Sequence, residues 1–458
     1  MLWRIAMALA APLAVAQSDP TTSAQATPTQ TDHAENWNLF YQATSVGMYH
    51  DSFPALYSGP LSLENRSERD VSLTTTLFLG FRLFNTEFYI NPEIAGGRGF
   101  SHVNGLANSN NGELPRVASA TPKPYLARAY FTHDFGFGDE RQKVDSDANQ
   151  LGGSRPMKRY SISIGRFTLT DFFDDNRYSH DPRTQFLGWA AMYNGAWDYP
   201  ADVRGYTWGW VHEFHTRQWS LRYASAAEPR VANGAHFDRK ILVNRGDIFE
   251  VEHRHKWRGH PGAVRALGYI NHARAGTYAD ALKLSSADGS RPDVTATRLD
   301  GTPKSGFGVS WDQEMASDWG IFGRLGWNDG KTESFAFTAI DELASRGVSI
   351  TGSRWHREGD TVATLLTFSG LSGVHSTYLS HGGLDFLIGD GALRYGLETV
   401  WESYYSARLW KIFWTSIDVM HVSNPAYNRD RGPVWVEMLR LHLELSKENF
   451  VKSGGGVP

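Results

Sequence analysis

The chain has 458 residues, of which 41% are hydrophobic, 13% aromatic and 21% charged, with a formal net charge of -4. This excludes a mostly disordered chain and a surface built to neutralise many nucleic-acid phosphates, and the absence of cysteine excludes disulfide scaffolds and thiolate-ligated zinc or iron-sulfur centres. The 45 glycines and 19 prolines, set among 16 tryptophans, 19 tyrosines and 25 phenylalanines, point to a turn-punctuated, aromatic-rich β protein.

In chain order, Arg4 precedes an apolar run from Ile5 to Ala16 that ends Ala14, Val15, Ala16. A basic start, a short apolar stretch and an A-x-A ending predict a secretory signal over 1–16. Residues 17–36, rich in Thr, Ser, Gln, Pro and Ala, read as a flexible lead-in. No later stretch is long and apolar enough for a spanning helix.

From Trp37 onward the dominant signal is period-two alternation. It predicts strands at 37–49, 71–83, 86–94, 124–135, 158–168, 203–214, 217–226, 246–257, 262–272, 305–316, 319–328, 331–340, 361–370, 392–404, 408–421 and 434–445. That is about sixteen strands. Joins at 84–85, 215–216, near 259, at 317 and at 405–407 are tight, whereas 50–70, 95–123, 169–202, 227–245, 273–304, 371–391 and 422–433 are long. Short turns at one rim and long loops at the other are the pattern of an all-β, antiparallel outer-membrane barrel spanning 37–446, with a tail at 447–458. Three joins break it: 136–157 and 341–360 are long where turns belong, and the hairpin at Asn328, Asp329 and Gly330 is short where a loop belongs.

The alternation also sorts the charges. Leu439, Leu441, Leu443 and Leu445 fall on one side of the last strand, and Arg440, His442 and Glu444 on the other. Around residue 250, Glu250, Glu252, Arg254 and Lys256 share a face that must meet water, because four ionised groups in a dry interior would each carry a penalty of several kcal/mol. That water is either bulk solvent around a soluble sandwich or propeller, or a wet lumen. On the lumen reading, the wall carries Arg82, Arg128, Arg222, Arg254, Arg265, Arg324 and Arg440 together with Glu87, Glu93, Asp134, Glu250, Glu252, Asp312, Glu398, Glu402 and Glu444. Tyr206, Trp208, Trp210 and Phe214 are expected on one outward face, with Trp319 and Trp435 near strand ends as an aromatic girdle.

The third long loop, 169–202, is the expected constriction, folded inward. It holds Asp171, Asp174, Asp175, Asn176, His180, Asp181 and Arg183, followed by Trp189, Trp197 and Tyr199. Sugars present hydroxyls at the ring edge and C-H groups on the faces, so a carbohydrate passage needs carboxylates, Arg and Asn beside aromatic rings. The same residues would also serve to pack the loop and cap its turns.

The strings Asn91-Pro-Glu-Ile-Ala-Gly-Gly-Arg-Gly-Phe100, Ser179-His-Asp-Pro-Arg-Thr-Gln-Phe186, Tyr193-Asn-Gly-Ala-Trp-Asp-Tyr-Pro200 and Asn424-Pro-Ala-Tyr-Asn-Arg-Asp-Arg-Gly-Pro433 resemble those of the OprB-type carbohydrate-selective porins. The resemblance implies a sixteen-stranded outer-membrane barrel through which glucose and other small sugars diffuse to the periplasm. It puts Arg98 and Asn104 of the second loop, Asp171 to Arg183 of the third, and Arg429 and Arg431 of the last at the channel mouth or constriction. It also implies outer-membrane lipids and the barrel-assembly machinery as partners, with monomer and homo-oligomer both open. Such barrels commonly end on an aromatic residue, whereas here Leu445 is followed by a tail.

The expected mechanism is passive, with opposed arginines and acids ordering water, aromatic rings offering weak stacking, and sugar affinity no tighter than roughly millimolar. No cofactor or metal is expected; His253 and His255 read as rim residues rather than ligands. The alternatives are a secreted soluble carbohydrate-binding protein, a glycoside hydrolase using Asp171, Asp174 and Asp175, and a barrel that conducts nothing. Carboxylates adjacent in sequence suit loop caps better than the facing pair a glycosidase needs.

Overall fold

In the computed structural model the described residues are 34–114, 121–447 and 449. The expected signal at 1–16, most of the lead-in and most of the tail lie outside them. Among the described residues, sixteen strands close a barrel and two more form a separate hairpin. The barrel strands in the first half of the chain are β1 (Trp37–His50), β2 (Glu68–Leu83), β3 (Thr86–Gly96), β4 (Lys123–Gly136), β7 (Arg159–Phe167), β8 (Thr207–His215), β9 (Trp219–Ala227) and β10 (Arg245–Trp257). They continue with β11 (His260–Ala275), β12 (Leu299–Ala316), β13 (Trp319–Asn328), β14 (Glu342–Thr351), β15 (Thr361–Gly370), β16 (Glu398–Trp410), β17 (Phe413–Ser423) and β18 (Val434–Ser446). The hairpin is β5 (Arg141–Val144) and β6 (Gly153–Pro156).

Each barrel strand pairs antiparallel with its neighbour, and β1 pairs with β18 to close the cylinder, Met48 opposite Met438 and Tyr41 opposite Leu445. Closure leaves no free edge and sets aside the soluble sandwich. The outer face carries exposed apolar side chains, among them Phe81, Ile90, Trp208, Trp210, Phe249, Phe307, Ile417 and Leu439, while Arg222, Arg265, Arg324 and Arg440 on the opposite parity are buried in the lumen. Exposure of this kind around a whole barrel is the signature of a lipid-facing band.

Turns at one end are short, apart from the join between β4 and β7. Arg258 and Gly259 join β10 to β11 with φ of 51° and 85°, the two positive angles of a hairpin turn whose twist matches the strands. All eight connections at the other end are long, and they fold together. Phe173, Trp189, Trp197, Tyr199, Phe337, Leu371, Tyr378, Leu387 and Tyr427 form one buried cluster drawn from the third, sixth, seventh and eighth loops. The apolar core therefore fills the barrel towards its loop end.

Two sequence readings need correction. The strand expected at 331–340 is loop, and β14 follows it at Glu342–Thr351. Phe335, Phe337 and Ala339 are buried, but so are Ser334, Thr338 and Ile340 beside them, so the apolar alternation marks no strand face; the backbone there is satisfied by a side chain rather than a ladder, Phe335 N and Ala336 N each donating to the Asp198 carboxylate at 2.8 Å. The shift turns the apparently short join after Asn328 into a long loop at 329–341 and the apparently long one into a compact turn at 352–360. Likewise the join expected at 405–407 lies at 411–412, between β16 and β17. The long join at 136–157 does remain at the turn end. It carries the β5–β6 hairpin, which docks on the lumen wall through Arg155 on Glu87, Asn38 Nδ2 on Gln150 O at 2.7 Å and buried Leu151.

Candidate functional site: the lumen and its third loop

The loop between β7 and β8, residues 168–206, crosses the barrel with little regular structure, so its backbone groups need partners from elsewhere. The wall supplies them by sign. Arginines meet carbonyls: Arg324 donates from Nη1 to Ala191 O at 2.8 Å and from Nη2 to Ser179 O at 2.5 Å and Met192 O at 3.0 Å. Across the barrel, Arg440 Nη1 donates to Pro182 O at 2.6 Å and Gln185 O at 2.5 Å. Carboxylates meet N-H groups. Glu402 accepts from Leu187 N at 2.5 Å and Gly188 N at 3.2 Å, and Glu250 from Asp174 N at 2.8 Å. Glu398 holds two other loops in the same way, accepting from Ala107 N, Asn108 N and Ala426 N at 3.0, 2.8 and 2.8 Å.

The side chains left facing open space converge against β2, β3 and β4. A cavity of about 120 Å³ is lined there by Glu93, Glu113, Tyr125, Arg183, Arg204 and Tyr206 on its polar side and by Trp189, Tyr199 and Phe337 on its aromatic side. Arg183 sits between two acids, with Nε donating to Glu113 Oε1 at 3.1 Å and Nη2 to Glu93 Oε2 at 3.2 Å. Glu93 also accepts from Thr76 at 2.5 Å, from Tyr206 at 3.4 Å and from the Tyr125 hydroxyl. The Arg204 guanidinium lies over the Tyr125 ring, 3.9 Å from its centre, a cation-π contact. Opposite, Trp189 and Phe337 stack 5.7 Å apart at 13°, and Tyr199 leans on Phe337 at 4.8 Å.

The electrostatics follow from this packing. Burial pushes the Glu113 carboxyl above its ordinary range against the pull of Arg183, and its buried Oε2 has no hydrogen-bond partner among the described residues. Burial opposes the charge on Arg183, but Glu113 and Glu93 outweigh it and hold that guanidinium well above its ordinary value. A guanidinium fixed between carboxylates at the cavity wall offers both donors and acceptors to a hydroxylated solute.

The structure separates the candidate residues into groups. Arg183, Trp189 and Tyr199 line the cavity. Asp174 and Trp197 do not: Asp174 is buried on Arg324, whose Nε lies 2.9 Å from Oδ2, and Trp197 is 1% exposed with its ring edge-on to Phe173. Asn176 is buried too, donating to Ser310 Oγ at 3.1 Å and Trp311 O at 3.0 Å and so fastening the loop to β12. Asp181 caps its own turn, accepting from Arg183 N at 3.0 Å, and His180 packs edge-on against Tyr193. Asp171 is bound bidentate by Arg128 at 2.5 and 2.7 Å. Asp175 faces a second, larger vestibule of about 720 Å³ at the turn end, with Arg177, Glu252, Arg254, Arg265 and Asp312.

The remaining candidates belong to the rim. Arg98 is exposed, and its backbone N donates to Asp70 at 2.7 Å. Asn104 donates to Ser101 O at 2.8 Å within its own loop. Arg431 is 2% exposed and ties the last loop to the first through Ser58 Oγ at 2.9 Å and the carbonyls of Tyr57 and Leu63, whereas Arg429 beside it is exposed. Of the wall arginines, Arg82 pairs with Glu87 at 2.7 Å and Arg254 with Glu252 at 3.1 Å.

Tyr206, expected on the lipid face with Trp208 and Trp210, is 7% exposed and turned into the lumen. β8 begins only at Thr207, so strand parity does not govern Tyr206, and it lies against Arg128 and Arg166 at 5.4 and 5.7 Å. Sequence reasoning left out Glu113, Tyr125, Arg204 and Phe337 as site residues. Glu113 sits in a loop without periodicity, Arg204 fell inside the strand expected from 203 although β8 begins at Thr207, and Phe337 was concealed by the misplaced strand; only the acid-aromatic content of the second loop and its neighbours could have drawn attention to them.

The profile described as carbohydrate-selective porin, OprB family, matches residues 66–445. Among solved structures, the high-pH structure of Pseudomonas putida OprB is similar with a TM-score of 0.65 and 14% identity, over 89% of this chain and 94% of that one. OccAB1 of Acinetobacter baumannii aligns with a TM-score of 0.47 and 9% identity over 92% and 100% of the two chains. The outer membrane channel DcaP of the same organism gives 0.46, 9%, 92% and 100%. Comparison with curated proteins finds no match. The first of these likenesses speaks for the fold, and the profile, spanning β2 to β18 almost completely, speaks for descent: the chain belongs to the carbohydrate-selective porin, OprB family, whose members are outer-membrane channels.

Proposed function

We propose that this barrel passes glucose and other small sugars by passive diffusion, and that selection is made at the cavity between Glu93, Arg183 and Glu113 on one side and Trp189, Tyr199 and Phe337 on the other. The observation that carries the reading is this juxtaposition of a charged hydrogen-bonding edge and an aromatic face in one narrow space. A pyranose needs both at once, since its hydroxyls exchange water for Arg183 and the two acids while a ring face slides over the aromatics. An apolar solute would have to strip water from that fixed charge without replacing the hydrogen bonds, which costs roughly 1–3 kcal/mol per group. Binding has to stay weak, of the order of millimolar, for the solute to leave.

The test is transport itself. Proteoliposomes holding the purified protein should swell faster in isosmotic glucose than in a zwitterion of equal size, and added sugar should reduce single-channel conductance in a planar bilayer. Equal swelling in both solutes, or a bilayer that stays silent, would overturn the proposal.

A further inference from the structure

The fourth loop, residues 228–244, leans inward at its start and outward at its end. Val203 N donates to Gly234 O at 3.0 Å and Arg230 N to His236 O at 2.8 Å, so residues 229–237 form a small hairpin resting on the third loop. Beyond it, Val243 N and Asn244 N both donate to Lys240 O at 2.8 Å, a tight turn pinned to β12 by Lys240 on Asp300 at 2.6 Å and by Gly301 N on Asn244 Oδ1 at 2.9 Å. This ordered turn presents three consecutive aliphatic side chains outward, Ile241, Leu242 and Val243, at 52%, 85% and 46% exposure. On the same outer face of β12 lie Leu299 and Phe307, 70% and 52% exposed. The knuckle thus extends the lipid-facing band up to the loop end of the wall, and it would be unfavourable facing bulk water.

Beside the knuckle is a hollow of about 910 Å³ lined by Arg230, His236, Phe237, Asp238, Arg239, Lys240, Arg274 and Asp300. Four permanent cations face two carboxylates, and both carboxylates are engaged within the turn: Asp238 accepts from Lys240 N at 2.7 Å and Asn244 at 3.0 Å, and Asp300 from Lys240. Arg230, Arg239 and Arg274 have no carboxylate at ion-pair distance among the described residues. Arg274 is turned outward by the ordinary alternation of β11, opposite an irregularity whose extra residue lies in β12 at Asp300 and Gly301. Its neighbours Ala273 and Ala275 are both buried on the lumen side.

We infer that this surface docks a phosphorylated, multiply acylated lipid of the outer leaflet, its phosphates on Arg230, Arg239 and Arg274 and an acyl chain along Leu242, Leu299 and Phe307. Guanidiniums bind phosphate bidentately and the aliphatic knuckle supplies the apolar contact a free anion would not need. The inference does not rest on the sugar reading, because none of these residues lines the sugar cavity. The test is native mass spectrometry of the full-length protein in detergent, with bisphosphorylated hexa-acyl lipid A and its fully dephosphorylated form as probes. At least tenfold preferential retention of the phosphorylated lipid is expected, with the preference lost in the Arg239→Gln/Arg274→Gln variant and retention of both lipids lowered in Leu242→Ser. Heat-modifiable migration reports that each variant is folded, and sugar block of conductance should be unchanged in all of them. Equal retention of the two lipids by the unaltered protein, or their displacement by equimolar inorganic phosphate, would overturn the inference.

Discussion

The Arg324 guanidinium and the Asp174 carboxylate meet deep inside the barrel, Nε to Oδ2 at 2.9 Å, with both side chains at most 3% exposed. Asp174 also accepts from Asn194 N at 2.7 Å, so one ion pair fixes two separate stretches of the third loop to β13. Removing one partner of such a pair leaves an uncompensated buried charge, worth about 3–5 kcal/mol. Arg324→Met should therefore release the loop, giving larger and noisier single-channel currents from a barrel that still migrates as folded. Currents identical to those of the unaltered protein would show that the loop is held elsewhere.

Arg183 offers the sharper functional test. Arg183→Gln keeps a hydrogen-bonding group but leaves Glu93 and Glu113 without their shared cation. Sugar block of conductance should weaken about tenfold, close to 1.4 kcal/mol, and the reversal potential in a salt gradient should move towards cation selectivity. Both changes are read in the same planar-bilayer recording.

Phe337 closes the aromatic side of the cavity. Truncation to Ala removes a stacked ring from a buried cluster, a change that costs roughly 3–5 kcal/mol in a core and here opens the passage. Liposome swelling should then admit a trisaccharide that the unaltered channel slows. Unchanged size exclusion would place the narrowest point elsewhere.

A pH-dependent contact is expected between the sixth and seventh loops. His375, fully buried at the start of the seventh loop's helix, places Nδ1 3.0 Å from Asp341 and Nε2 3.3 Å from Asp385, with the Tyr278 ring stacked on it at 4.2 Å. Burial disfavours its charge, yet the two carboxylates win and hold its pKa up to about 9. Because the folded value is the raised one, the stabilisation is complete below about pH 6.5, the ordinary histidine value, and is lost as pH climbs through 9. Limited proteolysis of the seventh loop, 371–397, should accelerate between pH 7 and pH 10, and His375→Asn should be cut quickly at both.

Much of the fold was legible because lipid outside and water inside force strict alternation. Leu439 and Arg440 could be assigned to opposite faces without any knowledge of their neighbours. The failures occurred where alternation has another cause. Phe335, Phe337 and Ala339 repeat with a strand's period while their backbone is held by Asp198, and Tyr206 escapes parity by standing one residue outside β8. Within the third loop, residue type drew attention to the segment but could not separate Asp174, which fastens it, from Arg183, which faces the cavity. That distinction depends on contacts such as Arg183 with Glu113, 70 residues away in the chain.

Because Arg324 and Arg440 are shaped to carbonyls and Glu250, Glu398 and Glu402 to N-H groups of particular loop residues, cylinder and plug form a matched lock. Transplanting the third loop of another barrel into this one would fail unless the complementary wall residues travelled with it, and the pore diameter of this barrel can change only by paired substitutions on both sides of that contact.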